Sequence, residues 1–235
     1  MQNINIFEKD LTSNTLKYIA IIAMFFDHFF AVFISQESME GILSRIPGRV
    51  VMPIMCYLIA EGFFYTSNVK KYVKRMLAFA VISHFPYVIY FGLPEATSVI
   101  WGLTLGLVAL ATVKNDNLPI YIKVPGVILL CLLSVPGDWY YVGVLWIVFF
   151  GIFRGRFKAQ MISFAVIGIV LHVIPKIINL GWDQLNQLAI LFAIPLLAMY
   201  KGRQGRKSKL MKWGFYVFYP LHLLLLYLLY RLVFG

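Results

Sequence analysis

Long apolar runs follow one another along this chain, and the loops between them are too short to fold alone. The runs fall at about 15–34, 48–66, 72–92, 97–113, 120–135, 140–153, 159–179, 184–200 and 213–234. Only a helix satisfies the backbone of such a run internally, and only lipid or a helix-bundle interior accepts its side chains. Hydrophobic residues make up 61% of the chain and charged residues 13%, a balance that would cover a soluble globule with apolar patches. The expected fold is therefore all-α: a polytopic membrane helical bundle of about nine spans, with a cytoplasmic segment over 1–14 and one transmembrane domain over 15–235. The fifth and sixth runs are the shortest, and the fifth contains Lys123, Pro125 and Gly126. Both fall short of the roughly 20 residues of a straight span, so seven full spans plus a re-entrant pair is the alternative.

Lysine and arginine read the orientation independently. When each is assigned to the nearer end of a run, 17 of the 21 fall on one side. That side holds Lys9, Lys17, Lys70, Lys71, Lys74, Arg75, Lys114, Lys123, Arg154, Arg156, Lys158 and the loop KGRQGRKSKLMK at 201–212, whereas Arg45, Arg49, Lys176 and Arg231 lie opposite. The positive-inside rule then places the amino terminus in the cytoplasm and, with nine spans, the carboxyl terminus outside. This is the pattern of a multi-pass protein of the cytoplasmic (plasma) membrane. Removing the fifth and sixth runs together leaves that polarity unchanged. The net charge of +11 is dispersed over these loops without a nucleic-acid-binding motif, so the expected partner is the lipid bilayer and not nucleic acid. The loop at 201–212 suits anionic headgroups or the phosphates of a ligand equally. Trp101, Trp139, Tyr140, Tyr141 and Trp182 near the outer interface and Trp213 near the inner one suit an anchoring aromatic belt. The first 15 residues are polar and predict no cleavable signal. Cys56 and Cys131 lie inside apolar runs and imply no disulfide framework.

The first run, LKYIAIIAMFFDHFFAVFI at 16–34, carries an Asp-His pair, Asp27-His28, near its middle. A carboxylate there costs roughly 2.5 to 3.5 kcal/mol on insertion scales unless it is paired or wetted, so it marks either a function or a polar glue between helices. Adjacent helical residues point about 100° apart, so Asp27 does not orient His28 and each needs its own partner. For Asp27 the candidates are Arg45 and Arg49. For His28 they are another histidine or a backbone carbonyl. Lys17 lies three helical turns before His28, on the same face and about 16 Å away along the axis.

All four histidines, His28, His84, His172 and His222, fall at about one depth, in the middle to outer half of the bilayer. A neutral imidazole accepts a proton from an attacking amine or hydroxyl, and His28 and His222 are the candidates for that role. The structural alternative for His222 is donation to a carbonyl freed by Pro220. His84 in ISHFPY and His172 in LHVIP precede prolines, where a structural role is favoured. Glu61 approaches the cytoplasmic end of its run, which predicts a basic partner, with KKYVKR at 70–75 the candidate and a structural ion pair the leading reading.

Three blocks of this sequence resemble one family. LKYIAIIAMFFDH at 16–28, GRVVMPIMCYLIAEGFFYTSNVKKYVKRMLAFAVISHFPY at 48–87 and FYVFYPLHL at 215–223 look like the TraX family of pilin N-acetylases. That family is grouped with the wider transmembrane acyltransferases, whose first span often carries a basic residue eleven positions before a histidine. Lys17 and His28 stand so here, with Lys where the wider pattern has Arg. The resemblance covers the first 90 residues and the last 25, while the middle matches only in hydropathy. It implies transfer of an acyl group, usually acetyl from acetyl-CoA, to an amine or hydroxyl of an exported peptide, pilin-like protein or glycan. Acetyl-CoA would be the acyl donor, with no metal expected. Under that implication Lys17, Lys70, Lys71, Arg75, Arg154 and Arg156 would hold the CoA phosphates, and His28, with His222 as second candidate, would act as base, with an acyl group carried on His28 itself as the alternative. Asp27 and Arg49 would hold the outer end of the site, supported by Arg45, Glu61 and His84.

Two other classes compete. A proton-coupled small-molecule transporter also uses intramembrane Asp, Glu and His, although no internal repeat is evident. A metal site from the four histidines fits their common depth but has no supporting spacing.

Overall fold

A computed structural model describes residues 11–34, 38–206 and 208–235, with the side chains of 209–212 outside the description. Lys9, Lys207, the side chains of Lys209 and Lys212, and most of the segment expected at 1–14 thus lie outside the described residues. Among the described residues the chain is 80% helical with no strand.

Local signals set the helix ends. Helix α1 (Ser13–Phe33) starts at Thr12, whose hydroxyl accepts from the Thr15 N–H at 3.2 Å, one of the donors a helix start leaves without a partner. A short α2 (Met39–Ser44) and a 3-10 turn (Pro47–Val50) lead into α3 (Val51–Tyr65). Helix α4 (Val69–Phe91) starts at Asn68, which accepts from the Lys71 N–H at 2.8 Å, and stops at Gly92, whose φ of 69° is left-handed and suits glycine. There follow α5 (Val99–Val113), α6 (Ile120–Leu133) and α7 (Tyr140–Ile152). Helix α8 (Phe157–Gly168) runs through a π-turn (Ile169–Val173) into α9 (Ile174–Leu180). A 3-10 stretch (Trp182–Phe192) continues as α10 (Ala193–Ala198), and α11 (Lys209–Phe234) closes the chain.

Among the described residues four helical stretches are long and apolar enough to cross a bilayer: Ser13–Phe33, Met39–Tyr65, Phe157–Leu180 and Trp213–Phe234. Helix α4 is as long, but its first turns carry Lys70, Lys71, Lys74 and Arg75. The fifth and sixth runs form separate continuous helices, α6 and α7. The Thr97 N–H donates to Pro136 O at 2.8 Å, tying the entry to α5 to the exit from α6, so α6 returns the full length of α5. Helices α5, α6 and α7 are apolar but only 15, 14 and 13 residues long, short of the roughly 20 residues of a straight span. The eighth run solves a length problem differently. As an α-helix its 17 residues would rise about 25 Å, whereas an 11-residue 3-10 stretch followed by one α-turn and a half rises about 31 Å.

Helices α3, α5 and α7 form the centre, while α6 contributes no buried residue and packs outside α5 and α7. In lipid there is little hydrophobic drive between helices, so close packing carries the association. A β-carbon at Gly106 would overlap Ile147, at Gly151 Leu110, and at Gly143 Met52. These glycines let α5, α7 and α3 approach. Trp146 is fully buried among them and donates to Phe164 O at 3.1 Å. Helices α1, α4 and α11 pack as a second group against this centre. Trp182 and Trp213 are exposed, as a belt requires, but Trp139 turns inward onto His172, with ring centroids 4.5 Å apart.

Candidate functional site

Between the two helix groups lies a cavity of about 850 Å³. One stripe of α1 lines its length, because Lys17, Ala20, Ile21, Met24, Asp27 and His28 recur at helical spacing. Ser13, Tyr65, Arg75, Arg206 and Tyr216 surround the Lys17 end, and Arg45, Arg49, Asp138, His172 and Lys176 surround the His28 end. Between them the walls are largely apolar, with Met52, Met55, Leu58 and Ile59 from α3. The shared face read for Lys17 and His28 is thus one wall of one cavity.

At the far end His28 meets His222 of α11, Nδ1 to Nε2 at 2.7 Å, with the rings 11° from parallel. The roles in this bond follow from its neighbour. His222 Nδ1 lies 2.9 Å from Phe218 O, a carbonyl that only accepts, so Nδ1 carries the proton. Neutral His222 then presents Nε2 as an acceptor, and His28 Nδ1–H donates to it. His28 is left with a bare Nε2 that has no protein partner among the described residues, the nitrogen a base requires. The Phe218 carbonyl is not the one freed by Pro220, which is that of Tyr216. The kink reading of His222 is replaced by one in which it sets the tautomer of His28. Tyr90 donates to His28 O at 2.6 Å and pins this turn of α1 to α4.

Asp27 is held by Arg45 in a two-pronged ion pair, Nε to Oδ1 and Nη2 to Oδ2, both 3.0 Å. Of the two partners considered, Arg45 takes the carboxylate. Arg49 stays within its electrostatic reach and lines the cavity. Gly48 permits this, since a β-carbon there would occupy the Asp27 carboxylate's position.

The expected phosphate-binding residues divide. Lys17 lines the cavity with its ammonium 5.1 Å from the Phe215 ring centre, and Arg75 is held by Tyr216 Oη at 3.1 Å and by the face of Tyr72. Lys70, Lys71 and Arg156 are exposed and do not line it. Arg154 pairs with Glu61, Nε to Oε1 at 2.8 Å, and stacks on Phe64. Glu61 therefore draws its partner from the loop after α7 and not from residues 70–75, because α3 ends beside that loop. The bond holds the Arg154 guanidinium above its ordinary pKa. His84 is half-buried beside Phe85 and does not line the cavity. His172 does line it, with Nε2 3.1 Å from Gln187 Oε1. The four histidines do not converge. Among the described residues no three His, Cys, Asp or Glu side chains are placed to share a metal ion.

Sequence reasoning missed Asp138 as a cavity residue, where it accepts from Tyr87 Oη, and Lys176. A signal existed for Lys176, one of four basic residues on the poor side. None existed for Asp138, which reads as an ordinary turn residue.

No solved structure matches the chain. It is 30% identical, over 69% of its length and 71% of the relative's, to a probable fimbrial assembly protein, FimC of serogroup H1, from Dichelobacter nodosus. The family model described as TraX protein matches residues 12–230, a range that holds both cavity ends and the His28–His222 pair, and the chain therefore belongs to the TraX family.

Proposed function

We propose that this protein is a membrane acyltransferase of the cytoplasmic membrane that moves acetyl from cytoplasmic acetyl-CoA to an acceptor outside, with an amine favoured over a hydroxyl. The continuity of the cavity carries this reading, with cations at one end and a histidine of set tautomer at the other. With the amino terminus in the cytoplasm, Lys17, Arg75 and Arg206 face the side where acetyl-CoA occurs. Their contacts to its phosphates would be charge-assisted and weakened by salt. The apolar middle would take the thioester arm over the roughly 16 Å to His28.

His28 Nε2 takes a proton from the acceptor nitrogen as the N–C bond to the acyl carbonyl forms, and returns it to the thiolate as the C–S bond breaks. The imidazolium formed in between donates from Nδ1 to His222, which spreads its charge over two rings. Asp27 with Arg45 keeps this end polar and acts electrostatically on His28. The acceptor would be an exported peptide, a pilin-like protein or a glycan, and a relative named for fimbrial assembly favours a protein. The test is His28→Ala in membranes supplied with labelled acetyl-CoA and candidate acceptors. Acetyl-CoA binding should persist and transfer should vanish. Undiminished transfer would remove His28 from the mechanism.

The same cavity supports a second reading, a proton-coupled transporter. Proton-driven uptake by a protein that fails to bind acetyl-CoA would select it.

A further inference from the structure

The His28 end of the cavity holds more positive charge than its internal pairs use. Arg45, Arg49 and Lys176 stand there with two carboxylates, Asp27 and Asp138. Asp27 is committed to the fork of Arg45, and Asp138 accepts the hydroxyl of Tyr87. Arg49 Nε is buried without a hydrogen-bond partner among the described residues. No carboxylate lies within ion-pair distance of Lys176 among them. Arg49 and Asp138 both act electrostatically on Lys176, and Arg49 and Lys176 both act on His172. They arrive from distant parts of the chain, the turn before α3 and helix α9. Holding two desolvated cations together is unfavourable unless an anion joins them.

We infer that Arg49 and Lys176 form an anion subsite that holds a carboxylate of the acceptor while its nucleophile lies against His28. The anion class follows from the unspent cations, and its assignment to an acceptor rests on the acyltransferase reading. A guanidinium presents two parallel donors matched to a carboxylate, and an ammonium beside it adds charge without demanding geometry. The Trp139 ring stacked on His172 forms an apolar wall that strengthens such a contact. The phosphates of acetyl-CoA belong to the other end, about 16 Å away. The acceptor chemistry is thus an amine or hydroxyl with an acidic group close by, such as a peptide amino terminus near a Glu side chain.

The experiment uses the full chain in phosphatidylcholine nanodiscs and two probes, the peptide amides Ala-Glu-Ala and Ala-Gln-Ala, which differ by one charge. Calorimetry should show the acidic peptide binding at least about tenfold more tightly, a difference of about 1.4 kcal/mol. Arg49→Gln or Lys176→Gln should remove that preference and leave the weaker affinity for Ala-Gln-Ala unchanged, whereas Arg49→Lys should keep part of it. Equal binding of the two peptides, no saturable binding of either, or a preference that survives both substitutions would overturn the proposal. So would a preference that disappears when phosphatidylglycerol is added to the discs, because the cations would then serve a lipid headgroup. Acetyl-CoA titrated into the same discs separates the two claims. Acetyl-CoA binding without peptide preference sinks the subsite alone, and peptide preference without acetyl-CoA binding sinks the acyltransferase.

Discussion

Replacing His222 with Phe tests whether a second imidazole governs the first. The ring stack on Phe218, with centroids 4.7 Å apart, accepts a phenyl group of similar shape, so α11 should hold. The loss is the acceptor 2.7 Å from His28 Nδ1. In the resting protein that bond is neutral and worth about 0.5 to 1.5 kcal/mol, and once His28 takes a proton it is charge-assisted and worth about 1.5 to 3. Only the difference, about 1 to 2 kcal/mol, bears on the chemical step, which predicts a fall in kcat/KM of roughly 5- to 30-fold. A further loss follows because an unheld imidazole carries its proton on Nε2 part of the time and is then no base. Labelled acetyl transfer in nanodiscs measures the rate, and calorimetry measures acetyl-CoA affinity, which should not change. His222→Gln offers a carbonyl in place of Nε2 and should recover part of the rate. Transfer by His222→Phe within twofold of the parent would refute the tautomer argument. So would a loss that appears wholly as weaker acetyl-CoA binding.

Four further outcomes are expected. Gly48→Ala places a β-carbon in the space of the Asp27 carboxylate and should break the Asp27–Arg45 fork, abolishing transfer while acetyl-CoA still binds. If transfer continues at the parental rate, that ion pair has no part in the site. Lys17→Gln should weaken acetyl-CoA binding several-fold and flatten its dependence on salt; an unchanged salt dependence moves the phosphates elsewhere. Glu61→Gln unpairs Arg154, whose side chain is 37% exposed, so the stability cost should be only about 1 kcal/mol, read as a small fall in the midpoint of thermal unfolding. A collapse of folding would show the pair to be structural in a stronger sense. Gly106→Val forces a side chain against Ile147 at the α5–α7 contact and should cost about 1 to 3 kcal/mol, seen as lower yield and midpoint. A neutral result would mean that these helices are further apart.

The chain's order of apolar runs determined much of the fold, because lipid leaves backbone polar groups no partner outside a helix or a closed barrel. The runs match the observed helices to within a few residues, except that short ones are short for different reasons. Helices α6 and α7 are compact, whereas the run at 184–200 gains length by winding as a 3-10 helix from Trp182 to Phe192. No pattern of hydrophobicity distinguishes those cases. The shared face of Lys17 and His28 was equally readable, since helical spacing fixes both angle and rise.

Partners across helices were not readable. Asp27 faced two candidate arginines, and only the packing of the turn at Gly48 against α1 selects Arg45. Glu61 lay near a basic cluster in sequence but meets Arg154, 93 residues away. His222 as the orienter of His28 depends on a contact across 194 residues, and the placing of Arg49 and Lys176 on one cavity depends on the meeting of a turn and the first turn of α9. Intramembrane polar residues announce themselves in sequence because each is costly alone. Which residue relieves that cost depends on distances of about an ångström between helices, and only the packed bundle sets those.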